Sequence, residues 1–465
     1  MSDAQAVSPA DIIREAGALR RSLETGFREQ VVNSLYGEVE RVSRRAVRDE
    51  GSKPLELDQR IDRIVTSRWL GLPLMLLILA VVFWLTIIGA NVPSAMIATA
   101  LFAVEDWAAA LFISWGVPVW LTGFLWHGVF RGLAWVISVM LPPMAIFFPM
   151  FTILEDLGYL PRVAFNLDYL FKKAGAHGKQ ALTMAMGFGC NAAGVIATRV
   201  IDSPRERLVA ILTNNFVPCN GRFPTLIMLA TVFVAAAFPP AVASLVAAGS
   251  VVGIVVLGGV FTLAVSWALS RTVLRGEASA FTLELPPYRR PGIMRILYTS
   301  LIDRTLFVLW RAILTAAPAG AVIWILANIS IGDVSLATRV SSALDPLGWA
   351  IGLDGVILLA YIIAIPANEI VVPTMLMCYM STGMMTELES LQDLRRLLVD
   401  QHGWTMLTAV NLMLFSLLHN PCATTIITIY KETLSAKWAT IGALMPLTIA
   451  FVVCFITATL ARLLF

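Results

Sequence analysis

Gly187-Phe-Gly-Cys-Asn191 lies inside a long apolar region, yet it puts two glycines, a thiol and an amide into five residues. Gly187 and Gly189 remove side-chain restraint and weaken a helix. In hydrocarbon a loosened helix is tolerated only where the freed backbone groups are buried in protein or line a wet cavity. Membrane carriers place binding sites at such interrupted helices, near the membrane midplane. The stretch therefore predicts a membrane helix broken at a site.

A second copy supports this reading. Leu344-Asp345-Pro-Leu-Gly repeats the frame of Leu167-Asp168-Tyr-Leu-Phe, and Gly352, Gly355 and Asn368 answer Gly175, Gly178 and Asn191, every pair 177 residues apart. Ala364-Ile-Pro-Ala-Asn-Glu369 then overlies Gly187-Phe-Gly-Cys-Asn-Ala192. Further on, Pro421-Cys422 answers Pro218-Cys219 at a spacing of 203, so the second copy is longer by about 26 residues; the polar stretch 381–405 accounts for them. Paired interruptions in two halves are the best sequence pointer to a membrane binding site.

Composition sets the class. The 465 residues are 58% hydrophobic and 14% charged, with mean hydropathy +0.78, against about 25% charge in soluble domains. The fold class expected is an all-α polytopic integral membrane protein with roughly 8–11 membrane segments and two pseudo-symmetric repeats containing broken helices. The net charge of +3 points to no nucleic-acid partner, because the basic residues cluster beside apolar segments. Five scattered cysteines do not form a disulfide framework. The polar N-terminus has no signal-peptide pattern.

Taken in order, residues 1–66 form an amphipathic helical segment, with Leu19, Leu23, Phe27, Val31 and Leu35 at helical spacing. Arg60, Arg63 and Arg68 beside the first span place the N-terminus in the cytoplasm. The first membrane half occupies 67–270: a span at 69–90, an interfacial stretch at 95–116 carrying Glu105-Asp106, one or two spans at 117–153 interrupted at Pro142-Pro143, a broken span at 181–200, a span at 208–236, and one span or a tight pair at 239–270. A basic linker, 271–300, is expected to be cytoplasmic, and the second half follows at 301–465. Arg199, Arg222 and Lys431 fall near span ends, where snorkelling accounts for them. His127 and His177 show no partner in the sequence.

Gly187-Phe-Gly-Cys-Asn191, Pro218-Cys219, Glu284-Leu-Pro-Pro-Tyr288 and Pro366-Ala-Asn-Glu-Ile370 resemble the membrane region of the bacterial ferrous iron transporter family, FeoB. So do Asp58-Gln-Arg-Ile-Asp-Arg63 with Leu70-Gly-Leu-Pro73, Ile153-Leu-Glu-Asp-Leu-Gly-Tyr159 and Pro421-Cys422-Ala-Thr424. The resemblance runs from about residue 55 to 435 in the family's order. It implies two gate repeats, of the nucleoside-recognition kind, around a route for Fe²⁺ in the cytoplasmic (inner) membrane of a bacterium. The chain departs from the family at Ala192-Ala193, where Val-Pro is usual, at Asn368, usually Lys, at Pro218 and at His419-Asn420. The family normally begins with a GTPase domain, and these 465 residues contain no Gly-x-x-x-x-Gly-Lys-Ser/Thr phosphate loop. A split or G-domain-less member is the expectation, with a separate small GTPase and a small SH3-like companion as partners and homo-oligomer formation left open.

Ferrous iron accepts nitrogen, oxygen and sulfur ligands, and a transport site must release what it binds. The candidate metal residues are Cys190, Asn191, Cys219, Asn368, Glu369 and Cys422, with His419 next to them in sequence; no resident cofactor is expected. A membrane cysteine is otherwise a small apolar filler, the reading adopted for Cys378 and Cys454. Glu369 is the sharpest single residue, because a carboxylate between apolar runs is costly. Its bland alternative is an ion pair with an arginine that joins two helices. The competing functions are a nucleoside or other small-solute permease and a non-transporting membrane subunit. No zincin motif or hydrolase elbow suggests an enzyme.

Overall fold

The structure, a computed structural model, describes residues 27–46, 53–67, 69–275, 288–289, 291–385 and 391–464. The leucines expected at 19 and 23, Arg68, most of the linker (276–287, with Glu284-Leu-Pro-Pro287) and 386–390 of the polar insertion lie outside the described residues. Two polar helices lead in, α1 (Phe27–Ala46) and α2 (Lys53–Val65). The rest is almost wholly helical, apart from a two-residue hairpin pairing Ser330–Ile331 with Val334–Ser335.

Among the described residues six helices are long and apolar enough to cross a membrane: Gly71–Ser114 (α3), Val119–Asp156 (α4), Pro204–Ala237, Leu245–Arg271, Met406–Thr433 and Ala436–Leu464. A seventh is reached if Leu336–Ala350 and Gly355–Ile363, which meet at 110°, count as one span. The sequence expectation of eight to eleven is higher because it counts apolar runs. Some of those runs are shorter apolar helices, such as Ile313–Asn328, or the bent pair. Others merge, as in α3, which joins the expected span at 69–90 to the expected interfacial stretch. Its 44 residues extend about 66 Å, twice the hydrocarbon core. Nor does Pro142-Pro143 interrupt α4, which runs through both. Residues 240–271 are one helix (α10), not a pair.

Backbone geometry repeats more closely than sequence. Helix α5 (Tyr159–Lys173) and helix α12 (Leu336–Ala350) are 177 residues apart at both ends. Each leads into a left-handed glycine, Gly175 (φ 71°) and Gly352 (φ 72°), a conformation that suits glycine because it has no Cβ. Next come α6 (Gln180–Gly189) and α13 (Gly355–Ile363). The chain then breaks into extended backbone at Cys190 (φ −153°, ψ 125°) and at Ala367 (φ −153°, ψ 116°), again 177 apart. It resumes as α7 (Asn191–Ala197) in the first copy and α14 (Val371–Met380) in the second. The copies close with helices flanking the Pro-Cys pairs: α8 (Pro204–Thr213) and α9 (Phe223–Leu229), then α10, in the first; α15 (Met406–Leu418), α16 (Ala423–Thr433) and α17 (Ala436–Leu464) in the second. One π-helical stretch precedes each copy, at Gly123–Phe130 and Thr299–Leu306, the second running on into α11 (Phe307–Asn328).

Charged side chains lock these pieces together. Glu432, at the end of α16, accepts from Arg199 (2.6 and 2.9 Å) and Arg207 (2.8 Å), joining the second copy to the first. Arg162 of α5, 1% exposed, reaches Asp62 of α2 (2.9 and 3.3 Å) and donates to the Gly158 carbonyl (2.7 Å). Tyr288 donates to the same Asp62 (2.8 Å) and lies under the Arg162 guanidinium at 4.0 Å. Burial pushes the Asp62 carboxyl up, but the Arg162 and Tyr288 hydrogen bonds and the Arg162 charge outweigh it and hold the group below the usual carboxylate range. Three segments singled out in the sequence thus meet at one node.

Candidate functional site

A broken membrane helix leaves backbone groups that cost several kcal/mol each if unpaired. At the first break, Asn214 donates to the Asn191 carbonyl (3.0 Å). It reaches there because Gly187 and Gly194 are bare: a Cβ on either would run into the Asn214 amide. The Asn191 amide nitrogen, in the orientation that gives it partners, donates to the Gly187 and Val217 carbonyls (3.1 Å each). At the second break, Asn368 Oδ1 meets His419 Nε2 (3.3 Å), and Ala423 N donates to the Ile365 carbonyl (2.7 Å), tying the break to the second Pro-Cys pair.

The two breaks and the two Pro-Cys pairs face one small cavity of about 30 Å³, room for about one water-sized sphere. All six candidate residues line it: Cys190, Asn191, Cys219, Asn368, Glu369 and Cys422. Cys378 and Cys454 do not; Cys454 is fully buried against Asn411. Among the described residues no cation lies in ion-pair range of Glu369, so the helix-joining ion pair is not formed there. Gly221 makes room for this carboxylate, since a Cβ at that position would sit on it. Among the described residues no three His, Cys, Asp or Glu side chains converge as a metal-holding group. Ligation at this cavity would draw on amides, carbonyls and thioethers as well.

Sequence reading missed the role of three residues here, Met140, Met144 and Arg222, and set His419 only beside the candidates. Met140 and Met144 of α4 line the cavity one helical turn apart; methionines in an apolar helix look like ordinary core. His419 is buried, its Nδ1 facing the Phe415 and Ser416 carbonyls. Arg222 corrects the snorkelling assignment: it is 1% exposed, and its guanidinium donates to the carbonyls of Asn215 (2.9 Å), Leu417 (2.7 Å), His419 (3.2 Å) and Asn420 (3.4 Å) and to the Asn215 side chain (3.0 Å). It holds the two Pro-Cys segments together behind the cavity. Arg199 is exposed, as expected, but ion-paired. Away from the site, Glu105 is 1% exposed instead of interfacial, and it partners His127 (2.6 Å) and Arg131 (3.6 Å). His177 accepts from the Lys179 backbone (3.0 Å).

Fold and site together define a polytopic membrane protein in which two broken-helix repeats enclose an ion-sized cavity. A family model described as Nucleoside recognition matches residues 137–234 and 309–436, one match for each copy, and a model described as Ferrous iron transport protein B C terminus matches 251–303. The chain is 30% identical over 409 residues to an Fe(2+) transporter FeoB of Staphylococcus aureus, covering 85% of this chain and 58% of the relative. It is 27% identical over 423 residues to that of Campylobacter jejuni (88% and 66%). Against an Fe(2+) transport protein A/Fe(2+) transporter FeoB fusion protein of Porphyromonas gingivalis it is 26% identical over 481 residues (94% and 55%). No solved structure matches it. The chain belongs to the FeoB family, as a membrane domain of that family, and spans a little over half the length of most of these relatives.

Proposed function

We propose that this protein carries ferrous iron across the cytoplasmic membrane through the cavity between the two broken helices, with Cys190, Asn191, Cys219, Asn368, Glu369 and Cys422 as transient ligands. The observation that carries this reading is that three thiols, two amides and a carboxylate with no ion-pair partner among the described residues all border one space of about 30 Å³. Sulfur and oxygen donors on separate helices suit a borderline divalent ion that must be released. A nucleoside calls for a pocket of several hundred Å³ with convergent polar groups, which the space between the two breaks does not offer. The names of the S. aureus and C. jejuni relatives agree with iron as substrate. Anaerobic Fe²⁺ uptake into proteoliposomes, run beside labelled nucleoside uptake, tests the reading. Saturable iron entry without nucleoside entry is expected, and the reverse result overturns it.

We place α1 and α2 on the cytoplasmic side, with the division at 271–300 between two membrane halves. The exposed stripe of Leu35, Val39 and Val42 on α1 is a docking face for a separate GTPase. The fusion partner named in the P. gingivalis relative favours a small companion protein as well. Labelling of single cysteines on α1 from the outer side of intact cells should fail.

A further inference from the structure

A second and larger cavity, about 330 Å³, lies between α3, α5, α6 and α10. Its walls are aliphatic and aromatic, among them Leu76 and Leu79 of α3, Val163 and Phe171 of α5, Phe188 of α6 and Val256 of α10. Val163, Phe171 and Phe188 are buried, so they face empty space from inside the protein. Interiors pack as densely as organic crystals, with few voids larger than a water molecule, and atoms bordering a dry void forfeit dispersion contacts. An apolar space of this size therefore calls for an apolar occupant. Gly259 of α10 shows the room available: it borders the cavity, and a Cβ there would meet nothing within 4 Å.

One end of this space carries positive charge. Helix α5 ends in Lys172-Lys173 and helix α10 in Arg271, with Arg275 following. The two ends are joined, since Ser270 Oγ donates to the Ala174 carbonyl (3.2 Å). Asp168 neutralises Lys172 at 2.8 Å. Lys173, Arg271 and Arg275 remain as exposed cations, the first two resting over Tyr169 (4.3 Å) and Trp267 (4.6 Å). Aromatic rings beneath cations mark the level of lipid headgroups. Basic groups beside an apolar crevice between membrane helices recognise anionic headgroups.

We propose that this crevice binds one acyl chain of an anionic phospholipid, with its phosphate held at Lys173 and Arg271. The chain would lie against Met184, Ala185 and Phe188, on the helix that ends at the first break. Neither the iron reading nor the direction of transport enters this assignment.

The test uses the whole protein reconstituted in phosphatidylcholine vesicles doped with phosphatidylglycerol bearing a photoreactive acyl chain. Crosslinks are expected on α3, α5 and α10, and unlabelled phosphatidylglycerol should compete at least tenfold better than phosphatidylcholine. Gly259→Phe should cut crosslinking about tenfold. Gly253→Phe, whose Cβ also meets nothing within 4 Å but which lies outside the crevice, should leave it unchanged. Ala185→Leu provides a second filling variant if Gly259→Phe does not fold. Lys173→Gln with Arg271→Gln should abolish the preference for phosphatidylglycerol while leaving residual labelling. Equal labelling in the Gly259→Phe and Gly253→Phe variants, or equal competition by the two lipids, would overturn the proposal, as would a crevice that only detergent occupies.

Discussion

Replacing Glu369 by glutamine keeps the shape of the side chain and removes its charge. Glu369 borders the cavity, and among the described residues no cation lies within ion-pair range of it. A charge held in a salt bridge and a charge reserved for a passing ion therefore give opposite results. Breaking a buried ion pair costs about 3–5 kcal/mol of stability. Here there is no pair to break, and a buried carboxylate is itself costly, so the unfolding midpoint of Glu369→Gln should equal or exceed the parent's. For the ion the balance reverses. At an effective dielectric constant of about 20, a unit charge about 4 Å away is attracted by about 4 kcal/mol and a dication by about 8. Desolvation takes back most of that. A remainder of about 1.4–4 kcal/mol corresponds to a loss of about ten- to a thousandfold in apparent affinity. The assay is anaerobic Fe²⁺ uptake into proteoliposomes against concentration, paired with thermal unfolding in the same detergent. Uptake equal to the parent's, or a fall in stability typical of a broken ion pair, would refute the reasoning.

Gly221→Ala places a methyl group on the Glu369 carboxylate; iron uptake should fall as in Glu369→Gln, while Gly253→Ala, in open space, leaves it unchanged. Cys190→Ser exchanges a soft ligand for a hard one and should reduce uptake, whereas Cys454→Ser, outside the cavity, should be nearly silent in the same assay. Asp62→Asn should loosen α2 from α5. Because the folded-state pKa of Asp62 is depressed, its contribution is fully present above the ordinary carboxylate pKa of about 4 and is lost as pH falls through the folded value. The stability gap between parent and variant, measured by denaturation against pH, should thus be constant near neutrality and close below about pH 4. The chain as given should neither bind nor hydrolyse GTP, for want of a phosphate loop; turnover by the purified protein would contradict this.

The architecture was legible where a rule of membrane physics left a mark on a single residue. Glycines and amides in an apolar run announce the breaks, and the 177-residue spacing pairs them. Glu369 stood out because a carboxylate among apolar residues needs a reason. What could not be read was anything whose meaning depended on a distant partner. Arg222 looked like a span-end anchor, yet its acceptors include carbonyls about 195 residues away. Glu105 and His127 are 22 residues apart, and the continuity of α3 that buries one against the other shows no signature in hydropathy. The repeat itself conceals the most informative feature of the site. Backbone angles at the two breaks agree within about ten degrees, so the copies are nearly equivalent as scaffolds, but their charges are not. At the spacing of 203, Thr425 stands where the first copy has Arg222; at 177, Ala192 stands where the second copy has Glu369. One copy supplies a cation wrapped in carbonyls behind the cavity, and the other supplies a carboxylate that borders it with no cation in ion-pair range among the described residues. A symmetric cavity could be stabilised by symmetric side chains. This one fixes its positive charge in the scaffold, and under the proposed function its negative charge is left for the ion.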